Sequence, residues 1–183
     1  MKPIGPLMWE HRLIEQIIPL IRNECIRLEA GNPPNILFIE TSADFFRTYA
    51  DRTHHGKEED ILFKALNKKN LSPEHESIMK ELIGEHETAR TTVKELLKAK
   101  EAYLRNESSS LDTILQSLDR LSELYPGHIE KEDKKFFYPA MEYFSNEEQE
   151  KMLDEFYAFD RSMIHEKYND IINRMGGKPI KFP

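Results

Sequence analysis

His54-His55-Gly56-Lys57-Glu58-Glu59-Asp60-Ile61-Leu62-Phe63 is the stretch on which the reading of this chain turns. It shows no period-two alternation, so it is read as helix. A step of four residues on a helix turns only about 40°, which puts His54 and Glu58 on one face. Ile61 and Leu62 flank Glu58 at roughly 60° and 40°. A carboxylate therefore sits in the middle of an apolar stripe, where it is very costly unless paired or metal-bound. His55 lies about 100° from His54, and Glu58 projects between the two imidazoles. The competing pair, His55 with Glu59, is less favoured because Glu59, at roughly 140°, leans out of the stripe.

The same arrangement recurs at His128 and Glu132, with Phe136 about 40° from the carboxylate. Two further histidines lie on apolar stripes of their own. His11 falls among Leu7, Ile14, Ile18, Ile21, Cys25 and Leu28, and His86 among Met79, Leu82, Ile83, Val93 and Leu97. A buried histidine needs a hydrogen-bond partner or a metal. One such residue is ordinary in a core, but one on each of four neighbouring inner faces is hard to explain by packing. Two inward carboxylates with these imidazoles describe a site for a pair of cations, the carboxylates bridging and the imidazoles terminal. Charged residues make up 32% of the chain, so one chance His-x-x-x-Glu is expected. His11 with Glu15 is read as that one, with Glu15 at the flank or in solvent.

Outward from these motifs the chain reads as helices throughout. Helix one spans about Pro6–Glu29, kinked at Pro19, and Gly31-Asn32-Pro33-Pro34 is a loop. Helix two spans about Ile36–Lys69. Ser72-Pro73-Glu74 caps a third helix running to about Arg105. Asn106–Ser110 breaks it before a fourth, which Pro126-Gly127 interrupts just ahead of His128. Ser145-x-x-Glu148 is a capping box for a fifth helix ending near Met175-Gly176-Gly177, followed by the tail KPIKFP. The expected fold is all-α: an antiparallel up-down-up-down four-helix bundle over residues 1–145, with an additional C-terminal helix and tail, 146–183, packed on the same domain. His75 is expected to cap the bundle end and His165 to be a surface or packing residue.

Composition narrows the function. The 183 residues carry a net charge of −7, which disfavours nucleic acid and anionic membrane as partners. Cys25 is the single cysteine, so no intramolecular disulfide forms and a disulfide-stapled secreted scaffold is excluded. No apolar run approaches the roughly 18–20 residues that span a bilayer. The start, MKPIGPLMWEHRL, is no signal peptide, since His11-Arg12 interrupts its apolar segment. A cytoplasmic protein is expected.

With Glu10-His11-Arg12, the 54–63 stretch, Glu85-His86-Glu87 and His128-Ile129-Glu130-Lys131-Glu132-Asp133 in order, the chain resembles the hemerythrin-like family, the HHE cation-binding domain, over about residues 5–145. The resemblance implies a left-handed four-helix bundle holding two non-haem irons. His11, His54, His86 and His128 would be terminal ligands, with Glu58 and Glu132 bridging alongside a solvent-derived oxo or hydroxo group. Manganese or zinc suits similar ligands. The oxygen carriers of the family have a second histidine four residues along the third helix, where this chain has Arg90. His55 is the favoured replacement for that nitrogen, ahead of His165. The carriers' second carboxylate is an aspartate five residues after the histidine, the spacing of Asp133, but Glu132 matches the wider family. Arg90 is a candidate to hold an anion or a peroxide-level ligand, and Tyr125, Glu10 and Glu85 are candidates to support the ligands.

The expected function is binding of dioxygen or a related small ligand, nitric oxide or peroxide, at this centre. The alternative is an iron or redox sensor, or an iron-handling protein, without turnover. A ferritin-like di-iron enzyme is disfavoured because no histidine has a glutamate three residues before it, and a zinc hydrolase because there is no His-Glu-x-x-His. A metal-free interaction bundle is the third reading. The fifth helix is expected either to cover the bundle or to mediate a homodimer.

Overall fold

The computed structural model describes residues 2–174 apart from 108, and the side chains of these except at 165, 166 and 168–174. The described residues form five helices and no strand. They are α1 (Ile4–Glu29), α2 (residues 36–66), α3 (Pro73–Leu104), α4 (residues 110–140) and α5 (Asn146–Arg174), with a short 3₁₀ turn at Met141–Tyr143 before α5. The expected end of the last helix near Met175-Gly176-Gly177, the tail and the side chain of His165 lie outside the described residues. No described helix is long and apolar enough to cross a membrane.

The local chemistry sets the boundaries. Ser72 caps α3 by accepting the backbone N–H of His75 at 3.2 Å, with Pro73 in the first turn. Ser145 and Glu148 form the reciprocal capping box at the start of α5. Asn35 caps α2 through the N–H of Phe38. Gly31, at φ 82°, takes the left-handed conformation that ends α1. His75 does tie the bundle end together: its Nδ1 meets the Tyr143 hydroxyl at 2.7 Å, joining α3 to the turn before α5.

The expected interruption at Pro126-Gly127 does not occur. The helix runs unbroken over Ser110–Lys131, and α1 likewise continues through Pro19. Proline costs a helix the bond to the carbonyl four residues back. In α4 that carbonyl belongs to Ser122, and Arg22 of α1 donates to it from Nη2 at 3.2 Å. A neighbouring helix thus replaces the lost donor.

α4 packs along both α1 and α3, and the first part of α2 lies against α3. The core falls into two apolar layers. One gathers Ile14, Phe46, Leu96, Leu118 and Tyr125, and the other Leu7, Leu62, Leu82, Phe137 and Phe156. Burying each such side chain is worth about 1.5–3 kcal/mol. Between the two layers lies a polar stratum of fully buried histidines and glutamates.

Candidate metal centre

The helices that supply this stratum are not regular. α2 widens into π-helix over Phe46–His55 and again over Glu58–Phe63, and α4 does so over Glu132–Phe136. A π-turn closes i→i+5 bonds, so each residue rotates less about the axis than in an α-helix. His54 and His55 therefore both turn inward, each 1% exposed, where α-geometry would separate them by about 100°. Neither displaces the other from the stripe.

Seven side chains converge. His11 comes from α1, His54, His55 and Glu58 from α2, His86 from α3, and His128 and Glu132 from α4, all buried. They form two groups, each with donor atoms within 4.8 Å of one another: His55, Glu58, His86 and His128, and His11, His54, Glu58 and Glu132. Glu58 belongs to both, with Oε1 3.5 Å from His54 Nε2 and Oε2 3.4 Å from His86 Nε2. Glu132 also spans the groups. Its Oε2 lies 3.1 Å from His11 Nε2 and 3.3 Å from His128 Nε2, and its Oε1 3.9 Å from His86 Nε2. Three imidazoles thus stand on one side, two on the other, and a carboxylate on each boundary.

The outer nitrogens face a second ring of carboxylates. Nδ1 of His11 pairs with Asp133 at 2.8 Å, of His54 with Glu10 at 2.9 Å, of His86 with Glu59 at 2.6 Å, and of His128 with Glu85 at 2.8 Å. His55 Nδ1 lies 3.5 Å from Asp51. Each of these acids is backed by a cation: Asp133 by Arg12, Glu10 by Lys57, Glu85 by Lys131, and both Glu59 and Asp51 by Arg90. An imidazole that donates Nδ1–H to a carboxylate presents its Nε2 lone pair inward, the form in which histidine binds metal.

The charge balance is unresolved by protein alone. Among the described residues, both Glu58 oxygens, both Glu132 oxygens, both His55 nitrogens and the Nε2 atoms of His86 and His128 are buried without a hydrogen-bond partner. Native interiors leave only a few such atoms per hundred residues, and a cluster of them at one point calls for an ion or water. Burial and the neighbouring Glu132 push the Glu58 carboxyl well above the usual range. Burial acts the same way on Glu132, but His128, His11 and His86 draw it down to about 2. Burial, and after it the adjacent imidazoles, holds His54 and His55 well below the ordinary histidine value, so both are neutral. Burial opposes charge on His11 as well, yet Asp133 and Glu132 carry it up to about 9. Imidazoles, carboxylates and orphaned inward atoms suit divalent cations of intermediate softness, so the residues present fit a metal site.

Arg90 and Tyr125 stand beside the seven. Arg90 is tied by Nε to Asp51 at 2.6 Å and by Nη2 to Glu59 at 2.7 Å, so it holds the acids that face His55 and His86. It also lines, with Phe46 and Tyr125, a cleft of about 230 Å³. The buried Tyr125 ring sits 6.3 Å from His55 and 6.4 Å from His128, stacked on Phe46. Glu10 and Glu85, the candidates to support the ligands, contact Nδ1 of His54 and of His128. Glu59, Asp133, Asp51 and Lys57 were not anticipated in this ring. The repeated acid beside each histidine motif was the available signal, but helical angles alone pointed Glu59 outward.

Comparison with curated proteins and with solved structures gave no significant match. The model of the hemerythrin HHE cation-binding domain matches residues 3–140, which carry all seven converging side chains. The chain belongs to the hemerythrin HHE cation-binding domain family.

Proposed function

We propose that this chain is a non-haem di-iron protein that binds dioxygen or a related small ligand, nitric oxide or peroxide, inside an up-down-up-down bundle. The observation that supports it is the convergence of five imidazoles and two boundary carboxylates. Both carboxylates and the inward nitrogens of His55, His86 and His128 have no protein partner, while Nε2 of His11 and of His54 meet each other at 2.9 Å. His55, His86 and His128 would hold one iron and His11 and His54 the other, with Glu58 and Glu132 across both. With an oxo or hydroxo group from solvent, the three histidines on one side and two on the other would leave the two-histidine half one donor short, where a small ligand would bind. The chemistry such a pair supplies is reversible binding or two-electron reduction of that ligand. Manganese or zinc would fill similar donors without that redox range.

The chain's own residues do the rest. The carboxylate ring fixes the imidazoles of His11, His54, His86 and His128, and the apolar layers exclude water on both sides. Phe137 stacks on His11 at 5.6 Å and shields the two-histidine half. The proposed setting is cytoplasmic, without nucleic-acid or membrane partners, as a monomer or homodimer with α5 packed on the bundle. An iron or redox sensor without turnover is the second reading, favoured by the contact of α5 with the centre described below.

The test is elemental analysis of protein made in iron-replete cells, followed by optical titration with oxygen, nitric oxide and peroxide. Two irons per chain and a ligand-dependent absorption change are expected. No metal, even after anaerobic ferrous loading, would overturn the proposal. Fast peroxide turnover would indicate an enzyme, and slow autoxidation reversible binding.

A further inference from the structure

Helix α5 lies outside the matched family domain, yet it reaches the ligands through one buried side chain. Lys57 sits between His55 and Glu58 and is fully buried. Its Nζ pairs with Glu10 Oε1 and, at 2.7 Å, with Asp160 Oδ1 of α5. The other oxygen of Glu10 holds His54 Nδ1 at 2.9 Å. The result is a run of polar contacts from the added helix to an inward imidazole: an ion pair from Asp160, whose Oδ1 has no hydrogen bond besides, to Lys57, and then Lys57–Glu10–His54. Packing seals it. Phe156 of α5 is fully buried under the Lys57 ammonium, 6.0 Å away. Phe159 lies so close to Gly56 that a Cβ there would stand 2.7 Å from its ring.

We infer that Lys57 and Asp160 are positioning residues for His54, so that docking of α5 and metal binding at the two-histidine half of the centre are coupled. The inference rests on the dimetal reading. A buried ammonium must keep its counter-charges. With Asp160 neutralised, Lys57 draws harder on Glu10 and takes that carboxylate away from His54. The imidazole then loses the acceptor that fixes its ring and raises its basicity. Coupling of this kind is reciprocal: what α5 gives to metal affinity, metal gives to the docking of α5. The three-histidine half has its own acids, Glu59, Glu85 and Asp51, none of which touches α5 in the contacts above.

The experiment uses the full chain, stripped of metal and titrated anaerobically with ferrous ion against a chromophoric chelator. The variants are Asp160→Asn, Asp160→Glu, Phe159→Ala and, as a control, Tyr157→Ala on the exposed side of α5. The wild type takes up two equivalents. In Asp160→Asn one of the two weakens by about 10–100-fold while the other stays within about twofold. Phe159→Ala, which loosens α5 without touching a charge, weakens the same equivalent, Asp160→Glu recovers most of the loss, and Tyr157→Ala behaves as wild type. In parallel, ferrous loading slows proteolysis within residues 146–164 in the wild type and much less in Asp160→Asn. Wild-type affinity at both sites in Asp160→Asn, or equal weakening of both, overturns the coupling while leaving the metal centre intact. A wild type that takes up no iron overturns the dimetal reading itself, and this inference with it.

Discussion

Asp133 receives the Nδ1 hydrogen bond of His11 at 2.8 Å, on the side of the ring away from the centre. Glu132, one residue earlier, approaches the Nε2 of the same ring at 3.1 Å. Two adjacent acids thus take opposite faces of one imidazole, one supporting and one inward. The π-turn that begins at Glu132 aims them apart.

The two acids should therefore differ sharply on substitution. Asp133→Asn keeps an acceptor but loses the charge, and weakens one metal equivalent by about 10–100-fold. Glu132→Ala removes a boundary carboxylate and abolishes tight uptake of both. Anaerobic ferrous titration separates the cases. Equal effects of the two substitutions would contradict the assignment of roles.

Glu58 is a stability liability until a cation arrives. Its oxygens are buried and unpartnered, and the carboxyl is pushed up by burial and by Glu132. Glu58→Gln should stabilise the chelator-treated protein at neutral pH and above, because the amide cannot ionise in the buried site. The same change should lower the melting temperature in ferrous buffer, because the wild type gains metal and the variant does not. Calorimetry with and without metal measures both signs.

Stability of the metal-free protein should fall as pH rises from about 6.5 to about 9. His11 has its folded value raised from 6.5 to about 9, so its stabilising contribution is complete below 6.5 and lost across this interval. Glu58, raised from 4.5, acts with the same sign over the range into which it is pushed. His54, His55 and His86 are lowered from 6.5, so their slope lies on the acid side, where stability falls as pH drops. Metal-loaded protein should be flat over the alkaline interval, since the ligands no longer titrate. Thermal melts across that range check it, and a flat metal-free profile would refute it.

Gly56 should not tolerate alanine. The added Cβ meets Phe159 at 2.7 Å, closer than side chains pack, and the overlap should cost about 1–3 kcal/mol. Trimming the ring in Gly56→Ala/Phe159→Leu should recover most of that loss. A double-mutant cycle by denaturant unfolding gives the coupling, and additive losses would show that the two residues do not oppose each other.

Much of the centre was legible along the chain because its ligands sit at helical spacing inside apolar stripes. His11, Ile14 and Ile18, or His128, Glu132 and Phe136, announce by their periods both a buried face and an acid or imidazole upon it. The caps at Ser72 and Ser145 were legible for the same local reason, since a cap needs only its own next three residues. The continuity of α4 through Pro126 was not, because the group that rescues Ser122 comes from Arg22, 100 residues away.

The sequence by itself determined that four inward histidines and two carboxylates share one buried level of a helical protein, because patterning dictates which side chains leave water. The tertiary structure alone decided how they divide. Only packed helices show that Glu58 reaches both His54 and His86, that wider turns bring His55 in beside His54, and that Glu59 and Asp133 face the outer nitrogens. Only the docking of α5 brings Asp160 to Lys57. Those relations depend on angles between helices and on small changes of helical winding, which no residue spacing encodes.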